Sequence, residues 1–394
     1  KDMVHWQQIG NVLDRESQIP LKGASSWLGI YAPTIRYHEG TYYMITTNVG
    51  NGGNFIVTAT DPRGPWSEPV WLKQQGIDPS LYFENGKCYM VSNPGDAIWL
   101  CEINPKTGEQ LTESKQLWQG DGGRYPEGPH IYKKDGYYYL LISEGGTELA
   151  HRLTIARSRN IEGPYESNPN NPILTNCSRL GQSKQIQGTG HGDLVQAGDG
   201  NWWMVFLAYR NYGGSYHHLG RETYLAPVEW KEGEWPVVNG GMPIDTLVKA
   251  NTLPSVLLEK HLEADAEDAP ATGAFEWVQL QNPIPGNYLR NDTMAVEEKY
   301  FVRLYPHGTL TENQQPTFVG RRQESASFSL ETDVVTKGEV EAGLSVYQIN
   351  DGHLDFFVSQ KQVALRCKLK SIDYVVKSVP RLRKGSVKLR IRSN

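Results

Sequence analysis

The chain alternates short aliphatic and aromatic runs with glycine turns, four times over in one order. Ala32-Pro33-Thr34-Ile35-Arg36-Tyr37 leads through Gly40 to Tyr42-Tyr43-Met44-Ile45. Asp78-Pro79-Ser80-Leu81-Tyr82-Phe83 leads through Gly86 to Tyr89-Met90-Val91. Glu127-Gly128-Pro129-His130-Ile131-Tyr132 leads through Gly136 to Tyr137-Tyr138-Tyr139-Leu140-Leu141. His191-Gly192-Asp193-Leu194-Val195 leads through Gly200 to Trp202-Trp203-Met204-Val205. Glu39-Gly40, Asn85-Gly86, Asp135-Gly136 and Asp199-Gly200 predict two-residue hairpin turns, which need positive φ. Each unit continues into a second hairpin, at 54–59, 97–101, 153–156 and 223–226. Four strands per unit make one blade of a β-propeller. The turn glycines lie 46, 50 and 64 residues apart, a spacing that fits blades. Gly64-Pro65-Trp66 and Gly163-Pro164-Tyr165 mark the same outer turn in two of them.

The first strand of a propeller blade lines the central channel. The leading residues of the repeats therefore converge in space although they are far apart in sequence. Three of the four are ionisable: Asp78, Glu127 and His191. A repeat that varies its side chain at one fixed place presents a site there. Residues 1–6 read as the outer edge of a blade whose inner strands lie upstream. The pattern thus predicts a five-bladed ring whose first blade is incomplete here, in a sequence that starts late.

From about Pro227 the pattern changes. Residues 1–250 form the predicted propeller. The acidic run Glu263-Ala264-Asp265-Ala266-Glu267-Asp268 lies in a linker, 251–273. Short alternating strands at 301–305, 317–320, 327–332, 343–347 and 354–358 predict a β-sandwich over 274–394. That domain reads as cut short, because the chain stops in the strand-like run Val387-Lys388-Leu389-Arg390-Ile391-Arg392.

Composition narrows the possibilities. The 394 residues suffice for two or three domains, and the net charge is −5. No basic stripe is present, which argues against a nucleic-acid partner. No apolar run approaches 18 residues, so no transmembrane helix is expected. Cys88, Cys101, Cys177 and Cys367 show no metal spacing and are too few for a disulfide scaffold. Cys88 and Cys101, in strand patterns, are expected to be buried thiols. The 11 Trp and 21 Tyr serve mainly as core. Trp27 and Tyr31 are the exceptions, expected to flank the channel in a loop rich in small residues and to contact substrate.

Two carboxylates facing a pocket among aromatics suggest cleavage of a glycosidic bond. Glu127 is the better acid, having the longer reach, and a nearby Asp78 carboxylate would raise its pKa. Arg221 would hold Asp78 ionised, bind sugar hydroxyls, or form a structural salt bridge with Glu222 or another residue. His191 reads as a general base, an ion ligand in the channel, or a hydrogen-bonded core histidine.

These motifs together resemble glycoside hydrolase family 43, the five-bladed propeller β-xylosidases and α-L-arabinofuranosidases. The resemblance rests on Ile30-Tyr31-Ala32-Pro33-Thr34, Gly76-Ile77-Asp78-Pro79-Ser80-Leu81, Pro126-Glu127-Gly128-Pro129-His130, Glu144-Gly145-Gly146-Thr147, Thr189-Gly190-His191-Gly192-Asp193-Leu194 and Gly220-Arg221-Glu222-Thr223. Phe318-Val319-Gly320-Arg321-Arg322-Gln323 and Ala342-Gly343-Leu344 resemble the sandwich domain of the xylosidase branch. The resemblance implies Glu127 as general acid, Asp78 as the carboxylate that tunes and orients it, and Arg221 as a substrate-binding arginine. It implies that His191 contacts a channel calcium ion in some members, with no cofactor needed for the chemistry. The family's general base is an aspartate in an Asp-Pro-Ser-like motif of the first blade. Nothing here matches it; the motif would lie upstream of Lys1, and neither Asp2 nor Asp14 replaces it. The expected activity is inverting, exo-acting release of terminal β-1,4-linked xylose from xylooligosaccharides. Removal of arabinose side chains from arabinoxylan-derived substrates is the alternative, or glycan binding without catalysis if the base is truly absent.

Overall fold

The computed structural model describes residues 3, 6–248, 277–290 and 302–394. The chain divides into two compact units, residues 1–19 with 30–272, and residues 20–29 with 273–394. The predicted linker, Asp2 and most of residues 1–6 lie outside the described residues.

Among the described residues the first unit holds four antiparallel sheets, three of four strands and one of five, each with four strands in sequence order. They are β1 (Thr34–His38), β2 (Thr41–Asn48), β3 (Gly53–Ala59) and β4 (Val70–Trp71); β5 (Ile77–Glu84), β6 (Lys87–Asn93), β7 (Ile98–Ile103) and β8 (Lys115–Trp118); β9 (Glu127–Lys134), β10 (Tyr137–Glu144), β11 (Arg152–Ser158) and β12 (Glu166–Ser167), with β13 (Leu174–Thr175) also on β11; and β14 (Ile186–Gln196), β15 (Trp202–Arg210), β16 (Glu222–Glu229) and β17 (Val237–Val238). These are propeller blades. The fifth blade expected from the sequence is not among the sheets of the described residues, where residues 6–19 form no strand.

Both faces of a blade are covered by apolar side chains, which explains the unbroken apolar runs. Successive strand residues point to opposite faces. Leu141 packs with Leu153, Met204 and Phe206 toward the fourth blade. Its neighbours Leu140 and Ile142 pack with Val91, Ile98 and Leu100 toward the second. Each such side chain, fully buried, contributes roughly 1.5–3 kcal/mol. The outer face of the first blade (Met44, Phe55, Val57) is covered by Val12, Leu13 and Ile19. Cys88 and Cys101 are buried free thiols, as expected.

Three of the four predicted turns form as two-residue loops, with positive φ at Glu39-Gly40, Asn85-Gly86 and Asp135-Gly136. The fourth differs. Gln196 pairs with Trp202, and the five-residue connection between them closes through Ala197 N–H to the Asn201 carbonyl. The Asp199 side chain bonds Asn201 instead of entering a tight turn.

The second unit is built on an antiparallel sheet of Ala342–Ile349, Gly352–Val358, Gln362–Leu369 and Ile372–Pro380, with Phe328–Val334 paired to Val387–Ser393. It is the predicted sandwich domain. Residues 20–29 belong to it because its amide side chains satisfy their backbone: Asn282 Oδ1 accepts from Leu21 N–H at 2.6 Å, and Asn313 Nδ2 donates to the Ala24 carbonyl at 2.7 Å. Among the described residues no helix is long and apolar enough to cross a membrane.

Candidate active site

The site is built from one irregularity repeated in the inner strands. In β5, Ile77 pairs with Asn93 and Ser80 with Val91, so Asp78 and Pro79 together face one residue of β6. In β9, Glu127 pairs with Ser143 and His130 with Leu141, leaving Gly128 and Pro129 opposite one residue. In β14, Gly190 pairs with Leu207 and Asp193 with Val205, leaving His191 and Gly192. Each is a two-against-one bulge, a device that re-aims side chains. The first residue of each bulge is left-handed: Asp78 at φ 52°, Gly128 at φ 59° and His191 at φ 48°. That conformation is strained for aspartate and histidine and free for glycine.

This register corrects one expectation. Glu127 does not occupy the same place as Asp78 and His191. It stands one residue earlier, and Gly128 fills the bulge position. The missing side chain is used: a Cβ on Gly128 would lie 3.1 Å from His191 Nε2, so the imidazole occupies that space. The Gly128 N–H donates to Asp78 Oδ2 at 3.1 Å.

The structure brings together Asp78, Glu127, His191 and Arg221. Asp78 is buried, and its Oδ2 lies 4.0 Å from His191 Nδ1. His191 is held through its backbone, whose N–H donates to Ser143 Oγ at 2.5 Å. Burial pushes the Asp78 carboxyl up, and His191, the Gly128 N–H and Arg221 oppose that rise. Glu127 carries the larger perturbation. Burial, then the negative charge of Asp78, push it up to about 7 against the opposing Arg221. A carboxyl that keeps its proton near neutrality can serve as a general acid. The second blade and its own blade fix the loop before it. Asn93 Nδ2 donates to the Pro126 carbonyl, and Glu144 Oε1 accepts from the N–H groups of Asp121 and Gly123.

The structural ion pair considered between Arg221 and Glu222 does not form. Glu222 is gripped by Arg210 through two hydrogen bonds, at 2.7 and 2.5 Å. Arg221 is exposed, bonds Thr147 Oγ1 at 3.4 Å and acts electrostatically on Glu127, Asp78 and His151. A cleft of about 390 Å³ lined by Thr147, Glu148, Leu149, Ala150, Tyr209 and His217 opens beside that hydroxyl. Tyr31 stands at the entry to β1, its N–H bonded to the Thr47 carbonyl and the residue 37% exposed. Trp27 is 67% exposed and lies in the 20–29 segment, so it is not part of the propeller unit. Asp14 pairs with Arg15 on the surface. Among the described residues no three His, Cys, Asp or Glu side chains converge to hold a metal ion.

Sequence reasoning passed over His151. It is fully buried, 3.7 Å from Glu127 Oε1 through Nε2, and bonded through Nδ1 to the Gly188 carbonyl at 2.9 Å. The signal for it was indirect: the glycine at 190, on another blade, leaves room for its ring.

A propeller channel carrying a proton-bearing glutamic acid, a coupled aspartate and an exposed arginine defines a glycoside hydrolase. The chain belongs to family 43: the model of "Glycosyl hydrolases family 43" matches residues 1–236, and that of the "Beta xylosidase C-terminal Concanavalin A-like domain" matches residues 269–394. A protein of Butyrivibrio fibrisolvens named xylosidase/arabinosidase is 42% identical over 94% of this chain and 74% of its own length. The non-reducing end alpha-L-arabinofuranosidase BoGH43B of Bacteroides ovatus is 39% identical over 96% of this chain and 73% of its own. A solved structure described as Bacteroides ovatus xyloglucan PUL GH43B superposes with a TM-score of 0.88 at 38% identity, covering all of this chain and 79% of the other.

Proposed function

We propose that the enzyme is an inverting exo-glycosidase that releases terminal β-1,4-linked xylose from xylooligosaccharides. The observation that carries the reading is the Glu127 carboxyl, held protonated to about pH 7 beside Asp78 and Arg221. Glu127 protonates the glycosidic oxygen as the bond to the anomeric carbon breaks. Asp78 keeps the acid charged with its proton and orients it through the Gly128 backbone. Arg221 offers its donors to sugar hydroxyls at the mouth. The inverting step needs a carboxylate base roughly 6.5–9.5 Å from the acid, with a water between. By the family resemblance that base is an aspartate in an Asp-Pro-Ser-like motif. The match to the β-xylosidase C-terminal domain supports the xylose and exo assignments.

A second reading, release of terminal α-L-arabinofuranose, is favoured by the names of the two relatives, one of which is named for both sugars. The deciding assay compares kcat/KM on an aryl β-D-xyloside and an aryl α-L-arabinofuranoside, and follows the first-formed anomer by NMR. The proposal expects the xyloside to be preferred and α-xylose to appear first. Preference for the arabinoside establishes the second reading, and β-xylose appearing first overturns inversion.

The Asp78 charge raises the pKa of Glu127. Asp78→Asn is therefore expected to move the alkaline limb of the kcat/KM profile to lower pH. An unmoved limb, or one moved upward, contradicts the tuning role.

A further inference from the structure

His151 has no place in the reaction described above, yet its environment is built for one state. Its ring is fully buried, and Nδ1 lies 2.9 Å from the Gly188 carbonyl. A carbonyl oxygen only accepts, so Nδ1 carries the hydrogen and Nε2 presents a bare lone pair. That Nε2 is a buried polar atom with no hydrogen-bond partner in the protein. Such atoms are rare, because an unmade hydrogen bond costs free energy. The nearest carboxylate oxygen is Glu127 Oε1 at 3.7 Å, just beyond hydrogen-bonding range. The ring cannot retreat toward β14. A Cβ on Gly190 would come within 2.3–2.4 Å of Cε1, Nδ1 and Nε2, so glycine at 190 makes the slot that holds the ring. Burial also holds the imidazole neutral, its pKa lowered to about 4.

We propose that His151 is the positioning residue for the acid: Nε2 accepts the hydrogen of the protonated Glu127 carboxyl in the free enzyme and holds it ready for transfer. The idea rests on Glu127 being the general acid. A small rotation of either side chain closes the 3.7 Å separation. When substrate arrives, the proton passes from Glu127 to the glycosidic oxygen, which takes the electron pair of the breaking bond to the anomeric carbon. His151 neither gains nor loses a proton. An acceptor that bonds only the neutral acid favours the neutral form, so His151 raises the pKa of Glu127. After transfer, the carboxylate faces a lone pair, which favours its reprotonation.

The test is the pH profile of kcat/KM, which reports the free enzyme. The other charged and titratable groups facing this pair are Asp78, Arg221 and His191, all kept in the variants. His151→Phe fills the slot without an acceptor. Its alkaline limb is expected about half to one pH unit lower, the size of one ordinary hydrogen bond to the neutral form. His151→Gln retains an acceptor oxygen and is expected to recover at least half of that shift. If the phenylalanine variant does not fold, the glutamine variant with an alkaline limb within half a unit of the parent's still supports the proposal. A glutamine limb shifted by a full unit or more overturns it. A folded phenylalanine variant with an unmoved limb overturns it as well. Glu127→Ala separates the two levels: if that variant keeps the parent's alkaline limb, the acid assignment falls and this inference with it. If it loses the limb and His151→Phe does not shift it, only the role of His151 falls.

Discussion

Replacing Glu127 with alanine is expected to cut kcat/KM on xylooligosaccharides by about 10²–10⁴-fold, the usual contribution of a positioned general acid. The loss is expected to shrink to within about tenfold for aryl glycosides whose leaving group is a stable phenolate, since such a group departs without a proton. The split follows from the position of Glu127. Its side chain is only partly exposed, and burial and Asp78 both resist its ionisation. The parent profile should therefore fall on the alkaline side near pH 7, where the acid loses its proton. In the alanine variant that fall should vanish. Equal losses on good and poor leaving groups would assign the proton to another residue.

The second large effect concerns the channel itself. Arg36 of β1 bonds Asp193 of β14 at 2.9 Å and reaches His130 Nδ1 of β9 at 3.0 Å. Tyr132 donates to the same aspartate and accepts from the Leu194 N–H. One guanidinium thus ties three blades together across the axis. The Arg36 and Asp193 side chains are 26% and 37% exposed, so the pair falls between a surface bridge and a buried one. Arg36→Met is expected to cost about 1–3 kcal/mol, more than an exposed pair and less than a fully buried one. The pH dependence has a definite sign. Burial would raise the Asp193 carboxyl, but His130, Arg36 and Tyr132 together bring it below its usual value. A lowered carboxylate pKa stabilises the fold above the unfolded value, near 4, and that contribution fades as pH falls through the folded one. Without Arg36 the acid unfolding midpoint should rise. Urea melts at pH 7 and pH 4 test both statements. A variant as stable as the parent at pH 7 would mean that the blades hold the channel without this pin.

The repeat was legible because its causes are local. Alternation, aromatic strands and Asx-Gly turns are properties of neighbours in sequence, and they located four blades. Asp199-Gly200 misled because the same dipeptide also fits a longer loop, and only the register of β14 on β15 decides between them. The convergence of Asp78, Glu127 and His191 was also readable, because inner strands share an axis. The offset of Glu127 was not, since a bulge is visible only against its partner strand. His151 escaped because it stands at the head of β11, outside the repeated inner-strand motif. Its partner surface comes from β14, contributed by glycines that look like ordinary turn residues. The 20–29 segment was assigned to the propeller by adjacency. Its loyalty is set by Asn282 and Asn313, more than 250 positions away, which no local pattern reports.

The repeated bulge changes what evolution can adjust independently. Below it, the inner strands β5, β9 and β14 keep one parity, with apolar residues meeting the adjoining blades. Above it, the count slips by one, and the lip follows its own phase. A one-residue slip in a strand exchanges its faces. Deleting a single residue from the Asp78-Pro79 step would therefore turn the lip back into the core's phase and send its chemistry sideways into a blade. Substitution at the lip leaves the packing rows undisturbed, so the catalytic rim can be rewritten while the barrel of blades beneath it stays in step.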